Sequence, residues 1–124
     1  MSPEKRQQKL IESKKELLEN PGSTCHFTIN KNYIEVAQII KAQMMEAGFK
    51  ENEIKTIIHE DTEKAELTIE ANGLFVATTI VYFEIKAISQ ETSECKEYYF
   101  YKWKFKDDQL KHCDDMKKSI ENYK

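Results

Sequence analysis

The chain has 124 residues, 40% hydrophobic and 33% charged, with six Phe, six Tyr and one Trp. That is one domain with enough apolar bulk for a core, so global disorder is excluded, and the scarcity of Gly and Pro excludes collagen-like and linker-like chains. Nineteen Lys plus Arg against 22 Asp plus Glu leave a formal charge of −3, which disfavours nucleic acid as a partner and is too mild for a nucleic-acid mimic.

In chain order, Ser2-Pro3-Glu4 predicts a helix start: a capping hydroxyl, a proline in the first turn and an acid beside the helix dipole. The helix runs to about Glu19, so residues 1–20 read as a peripheral helix of a single domain over 1–124. Its apolar residues, Leu10, Ile11, Leu17 and Leu18, make a narrow stripe at heptad-like spacing. Such a helix does not hold alone and must lie on the domain or on another chain. Cys25-His26-Phe27-Thr28-Ile29 alternates as a strand. Asn32 then caps a second helix, with Glu35 completing a capping-box-like pair. Tyr33, Val36, Ala37, Ile40, Met44 and Ala47 give that helix a broad apolar face, and Gly48-Phe49 fits a Schellman ending.

Ile54–Glu60 fits either element by spacing; its β-branched content and the following Asp61–Lys64 turn favour a strand. Ala65–Ala71 alternates without a fault, and Asn72-Gly73 is the dipeptide of a type I′ hairpin. A long strand over Phe75–Ile88, a polar loop over Ser89–Glu94 and a strand over Lys96–Phe105 follow. Asp107 and Asp108 open a last helix with Leu110, Cys113, Met116 and Ile120 on one face.

The period of two sorts the strand side chains. Cys25, Phe27, Ile29, Leu67, Ile69, Phe75, Ala77, Val81, Phe83, Ile85, Tyr99, Tyr101, Trp103 and Phe105 form an apolar face for the central helix. The opposite face is mixed. There, Ile80, Tyr82, Tyr98 and Phe100 form an apolar island bordered by Lys86, Lys102 and Lys104. An island of that kind marks a contact surface when it is open. Three readings compete: a terminal helix covers it; it is a protein interface or homodimer seam; or its rings stack bases while Lys86, Lys102 and Lys104 meet phosphates. No RNP-type motif supports the last.

Charge is unevenly spread. Glu51, Glu53, Glu60, Asp61, Glu63, Glu66 and Glu70 meet only Lys55 and Lys64 in their stretch, whereas Lys86–Lys106 is lysine-rich. An odd cysteine count (Cys25, Cys95, Cys113) without CxxC spacing argues against a disulfide framework. Cys25 and Cys113 read as buried thiols and Cys95 as exposed beside a polar loop. With the charged opening MSPEKRQQKL, which lacks a signal peptide's apolar stretch, this predicts a cytoplasmic protein. No run is apolar enough for a membrane span.

Searching for chemistry yields no catalytic residue. Gly22, Gly48 and Gly73 are too scattered for a phosphate loop, and no G-x-S-x-G elbow occurs. Cys25-His26 and His112-Cys113 could together supply four zinc ligands, but neighbours on a strand point to opposite faces, so Cys25 and His26 do not share a metal. His59 with Glu60 or Asp61 would make a general base without a nucleophile beside it. The expectation is therefore no metal and no cofactor.

These elements predict an α+β fold: a curved antiparallel sheet of about five strands packed on one central helix, with N- and C-terminal helices. The order strand–helix–four strands resembles the cystatin and NTF2-like cone arrangement, and fold-level likeness transfers no function. The expected function is a small, non-enzymatic binding protein that occupies a surface of another protein. Its Lys/Glu/Ile/Asn-rich composition is that of an AT-rich coding genome, where motif-poor chains of this length include inhibitors, immunity factors and accessory proteins of phages or mobile elements. The alternatives are a small-ligand pocket lined by Tyr99, Tyr101, Trp103 and Phe83, which admits an enzyme, and single-stranded RNA binding on the mixed face.

Overall fold

The computed structural model describes residues 1–124. Three helices and five strands follow one another: α1 (Pro3–Glu19), β1 (Ser23–Ile29), α2 (Tyr33–Glu46), a short 3₁₀ turn (Glu51–Glu53), β2 (Ile54–His59), β3 (Lys64–Asn72), β4 (Ala77–Ser89), β5 (Thr92–Tyr99) and α3 (Lys106–Glu121). All strand pairs are antiparallel, in the order β1-β5-β4-β3-β2. The α+β fold read from the sequence is the one observed, and the ambiguous Ile54 segment is a strand. No helix is long and apolar enough to cross a membrane.

The caps act as the residue types require. Ser2 Oγ accepts from the Lys5 amide at 3.2 Å and Asn32 Oδ1 from the Ile34 amide at 2.9 Å. Gly48 takes φ +108°, and the Phe49 amide donates back to the Met44 carbonyl at 3.1 Å, a Schellman ending.

One core lies between the sheet and α2, with α3 on the same side at the β1 edge. Val36, Ala37 and Ile40 of α2 meet Phe27, Ile29, Leu67, Ile69, Val81, Phe83, Ile85 and, from α3, Ile120. Each such side chain contributes roughly 1.5–3 kcal/mol by leaving water. The opposite face of the sheet is not open: α1 lies across β4, burying Leu10 and Leu17. The Thr79 amide donates to Ser13 Oγ at 2.8 Å, and Thr79 Oγ1 donates to the Leu10 carbonyl at 3.2 Å. The molecule therefore has three layers, α1, the sheet, and α2 with α3.

Several boundaries differ from the sequence reading, each for a local reason. Asn72-Gly73 does not make a type I′ turn: neither residue has positive φ, and Gly73–Val76 form a longer connection closed by the Gly73 amide on the Val76 carbonyl at 2.9 Å. Phe75 consequently lies outside β4 and is 80% exposed. A bulge at Ile80, the extra residue of β4 between the Ile69–Val81 and Glu70–Thr79 pairs, resets the alternation at the start of β4. Ile80 packs toward the α2 core, while Thr79 is buried on the α1 side. The polar loop over 89–94 contracts to a tight hairpin, Ser89 pairing with Thr92. The last strand thus ends at Tyr99, and residues 100–105 run outside the sheet with Tyr101 and Phe105 exposed. Leu110 faces solvent rather than the α3 interface.

Candidate functional site

The anticipated island of Ile80, Tyr82, Tyr98 and Phe100 and its bordering Lys102 and Lys104 do not form one surface. Tyr82 is buried beneath α1, with Lys14 Nζ 4.9 Å above its ring and the Tyr98 ring 5.8 Å away. Ile80 is the bulge residue, turned to the core. Phe100, Lys102 and Lys104 remain exposed, on the segment after β5. The N-terminal helix covers Tyr82, which offers no open ring for a base, while Phe100 stays in solvent.

Beneath α1 lies a polar network that the sequence did not reveal. The Tyr82 hydroxyl donates to Glu66, whose other carboxylate oxygen stands 2.6 Å from His59 Nε2. His59 thus pairs with Glu66 across the hairpin, not with Glu60 or Asp61. Burial pushes the Glu66 carboxyl up, but hydrogen bonds from Tyr82 and His59 outweigh it and hold the group below its ordinary value. The carboxyl of Glu70, four positions further along β3, is raised by burial. The two glutamates therefore have opposite pH signatures. Glu66 contributes stability that is present above the ordinary glutamate value and lost as pH falls through its lowered one. The charge on Glu70 costs stability at neutral pH, a cost that vanishes as pH falls through its raised value. Glu66→Gln is expected to lower the melting temperature by a few degrees at pH 7, and Glu70→Gln to raise it. Both differences should shrink toward zero in melts taken below pH 4.

Two apolar groups are left in solvent at one end of the sheet, where β3 and β5 end and β1 and β4 begin. The first is the hairpin tip, with Leu74 75%, Phe75 80% and Val76 49% exposed. Arg6 of α1 pins it: Nη2 donates to the Gly73 carbonyl at 2.9 Å, Nη1 to the Val76 carbonyl at 3.1 Å, and Nη1 also meets Asn72 Oδ1. The second comprises Phe100 and Tyr101, about half exposed. Their backbone is held close: a Cβ on Gly22 would stand 2.2 Å from the Phe100 carbonyl oxygen, and Ser23 Oγ donates to the Tyr101 carbonyl at 2.8 Å.

On the α2 side, where β1, β5 and α3 meet, Cys25 and Cys113 form a disulfide across a sequence separation of 88. This corrects the reading of both as free thiols. Spacing gives no sign of the bond, because it exists only once α3 folds over β1. Beside it, Glu97 is 2% exposed on the interior face of β5, and His112 Nε2 lies 2.9 Å from Glu97 Oε1. That hydrogen bond, opposed by burial, raises the His112 pKa. Tyr99 stacks on the His112 ring at 5.6 Å and Trp103 flanks it at 5.5 Å. The Trp103 indole nitrogen is buried without a partner. Glu97 was within reach of the sequence, since stepping back two from Tyr99 puts it inside. Cys95, two further back, is fully buried, not exposed; burial pushes its thiol pKa far up, so it is unreactive.

Five depressions in the surface have linings that include none of Phe83, Tyr99, Tyr101 or Trp103. Phe83 is completely enclosed. Comparison with protein-family models gives no match, and a search of curated proteins gives none.

Proposed function

We propose that the chain is a small non-enzymatic binding protein that acts by occupying a surface of another protein. The observation that carries this reading is the apolar hairpin tip, Leu74-Phe75-Val76, held in solvent by the Arg6 clamp on its backbone. Large apolar side chains exposed on a fixed backbone lose little further freedom on docking, which is how an anchor gives affinity. Phe100 and Tyr101 at the same end of the sheet extend the contact, and Lys102 and Lys104 supply a polar rim. A cytoplasmic location fits this reading if the Cys25–Cys113 pair is reduced there; an oxidising compartment keeps it bonded.

The test is an affinity capture from the native host, followed by titration of the purified partner. Leu74→Ser with Phe75→Ser is expected to weaken binding at least about thirtyfold, the effect of removing an anchor worth roughly 2 kcal/mol. The melting temperature should barely move, because exposed positions contribute within about 0.5 kcal/mol. Phe100→Ala should weaken binding less. Unchanged affinity in the double variant refutes the assignment of the tip. Light scattering distinguishes a second copy of the chain, which would appear as a dimer lost in the same variant.

A further inference from the structure

We propose that the junction of β1, β5 and α3 is a redox-gated metal site. Once the Cys25–Cys113 bond is reduced, the two thiolates, the His112 imidazole and the Glu97 carboxylate bind one thiophilic divalent cation of the zinc class. Cys25 Sγ, a Glu97 carboxylate oxygen and a His112 ring nitrogen all lie within 4.8 Å of one another, and Cys113 Sγ is bonded to the first of them. Zinc stands about 2.3 Å from sulfur and about 2.0–2.1 Å from nitrogen or oxygen, so its tetrahedral donors are roughly 3.3–3.8 Å apart. The cluster thus has to tighten in one direction by about 1 Å, and the 2.9 Å His112–Glu97 contact has to open slightly. The Cα atoms of Cys25 and Cys113 are 5.4 Å apart, so side-chain rotation about a fixed backbone can separate the two sulfurs enough to share an ion.

The donor set suits zinc: two soft thiolates, one imidazole and one carboxylate. Its surroundings do as well. Glu97 is a charged group buried at 2% exposure with a histidine as its partner, and a cation would neutralise it. Tyr99 and Trp103 wall the imidazole. His26, which the sequence placed beside Cys25 as a rival ligand, points to the other side and pairs with Glu94 at 2.5 Å. Glu97 takes the place that His26 cannot fill, and the expectation of no metal is revised for the reduced chain.

The step balances as follows. A dithiol supplies two electrons and two protons to the Cys25–Cys113 bond, giving two thiols and leaving the reagent as its own disulfide. The cation then displaces both thiol protons and forms two metal–sulfur bonds.

The experiment titrates the full chain with zinc chloride, oxidised and after anaerobic reduction with removal of the dithiol, against a chromophoric chelator. A parallel titration uses Co²⁺. A single zinc ion per reduced chain is expected, with none retained by the oxidised chain. Cobalt should give thiolate charge-transfer absorption with tetrahedral ligand-field bands. His112→Ala and Glu97→Gln should each weaken binding at least about tenfold, and His26→Ala should not. Where a substitution at buried Glu97 costs the fold, the unmodified chain still decides: zinc should protect Cys25 and Cys113 from alkylation. If reduction alone opens the fold, zinc should restore it. Equal zinc binding by both redox forms overturns the proposal. So does affinity unmoved by His112→Ala, or a reduced chain that neither retains zinc nor refolds with it.

Discussion

Replacing both Cys25 and Cys113 by serine lowers the melting temperature by roughly 15 °C. The bond joins β1 to α3 across a separation of 88 residues in a chain of 124. Closing a loop of that size in the unfolded chain removes about 4–5 kcal/mol of conformational freedom at 25 °C on the chain-entropy account. With an unfolding entropy of about 2.1 cal/mol/K per residue, each kilocalorie moves the midpoint of a chain this long by about 4 °C. The native structure loses little besides, since the serine hydroxyls fit where the sulfurs were and Ile120 still anchors α3 to the core. Thermal melts of the oxidised wild type, the dithiol-reduced wild type and the double serine variant, all without metal, check this. The last two should coincide. A shift under 3 °C would mean that the non-covalent contacts of α3, among them Ile120, Gln109 with the Thr24 carbonyl and the Glu97–His112 pair, hold it without the bond, and that the bond contributes little.

How much of this was legible in the sequence depends on the range over which each feature is encoded. The caps at Ser2 and Asn32, the Gly48 ending and the alternation of Ala65–Ala71 are short-range devices, and each appears where its residues place it. Val81, Phe83 and Ile85 face α2 as their alternation requires. The failures share a different cause. The bulge at Ile80 is a pairing irregularity between two strands, so alternation counted along β4 alone carries the wrong parity across it. Asn72-Gly73 has the composition of a two-residue turn, but Arg6, some 67 positions away, stabilises a wider one by bonding the Gly73 carbonyl. The Cys25–Cys113 bond and the pairing of Glu66 with Tyr82 and His59 depend on contacts between elements, and no spacing announces them. The island of Ile80, Tyr82, Tyr98 and Phe100 was real as composition. Its accessibility was a tertiary question, and α1 answers it by covering Tyr82.

That cover leads to the other large effect. Leu10→Ala with Leu17→Ala is expected to destabilise the chain by about 5 kcal/mol, because each truncation of a buried leucine costs roughly 2–5 kcal/mol and the two sites, about 10 Å apart along the helix, add nearly independently. The melting temperature should fall by roughly 15–20 °C. Ile11 and Leu18 sit beside them in the sequence with the same chemistry but are 54% and 38% exposed, so Ile11→Ala with Leu18→Ala should cost about 1 kcal/mol or less. The contrast tests where the helix lies, not merely whether it is apolar. α1 carries few apolar residues and has no independent stability; it is helical because Leu10 and Leu17 pack on β4 and because the Leu10 carbonyl and Ser13 hydroxyl meet Thr79. Loosening it strips cover from Tyr82 and from Glu70, both under 6% exposed, and frees the hairpin tip from Arg6. The leucine pair should therefore weaken partner binding indirectly, while substitution of Leu74 and Phe75 weakens it with the fold intact. Melts at two protein concentrations complete the test: a midpoint independent of concentration fits a helix seated on its own sheet. A midpoint that rises with concentration, or a leucine pair no more costly than Ile11 with Leu18, would place the stripe against a second copy of the chain instead.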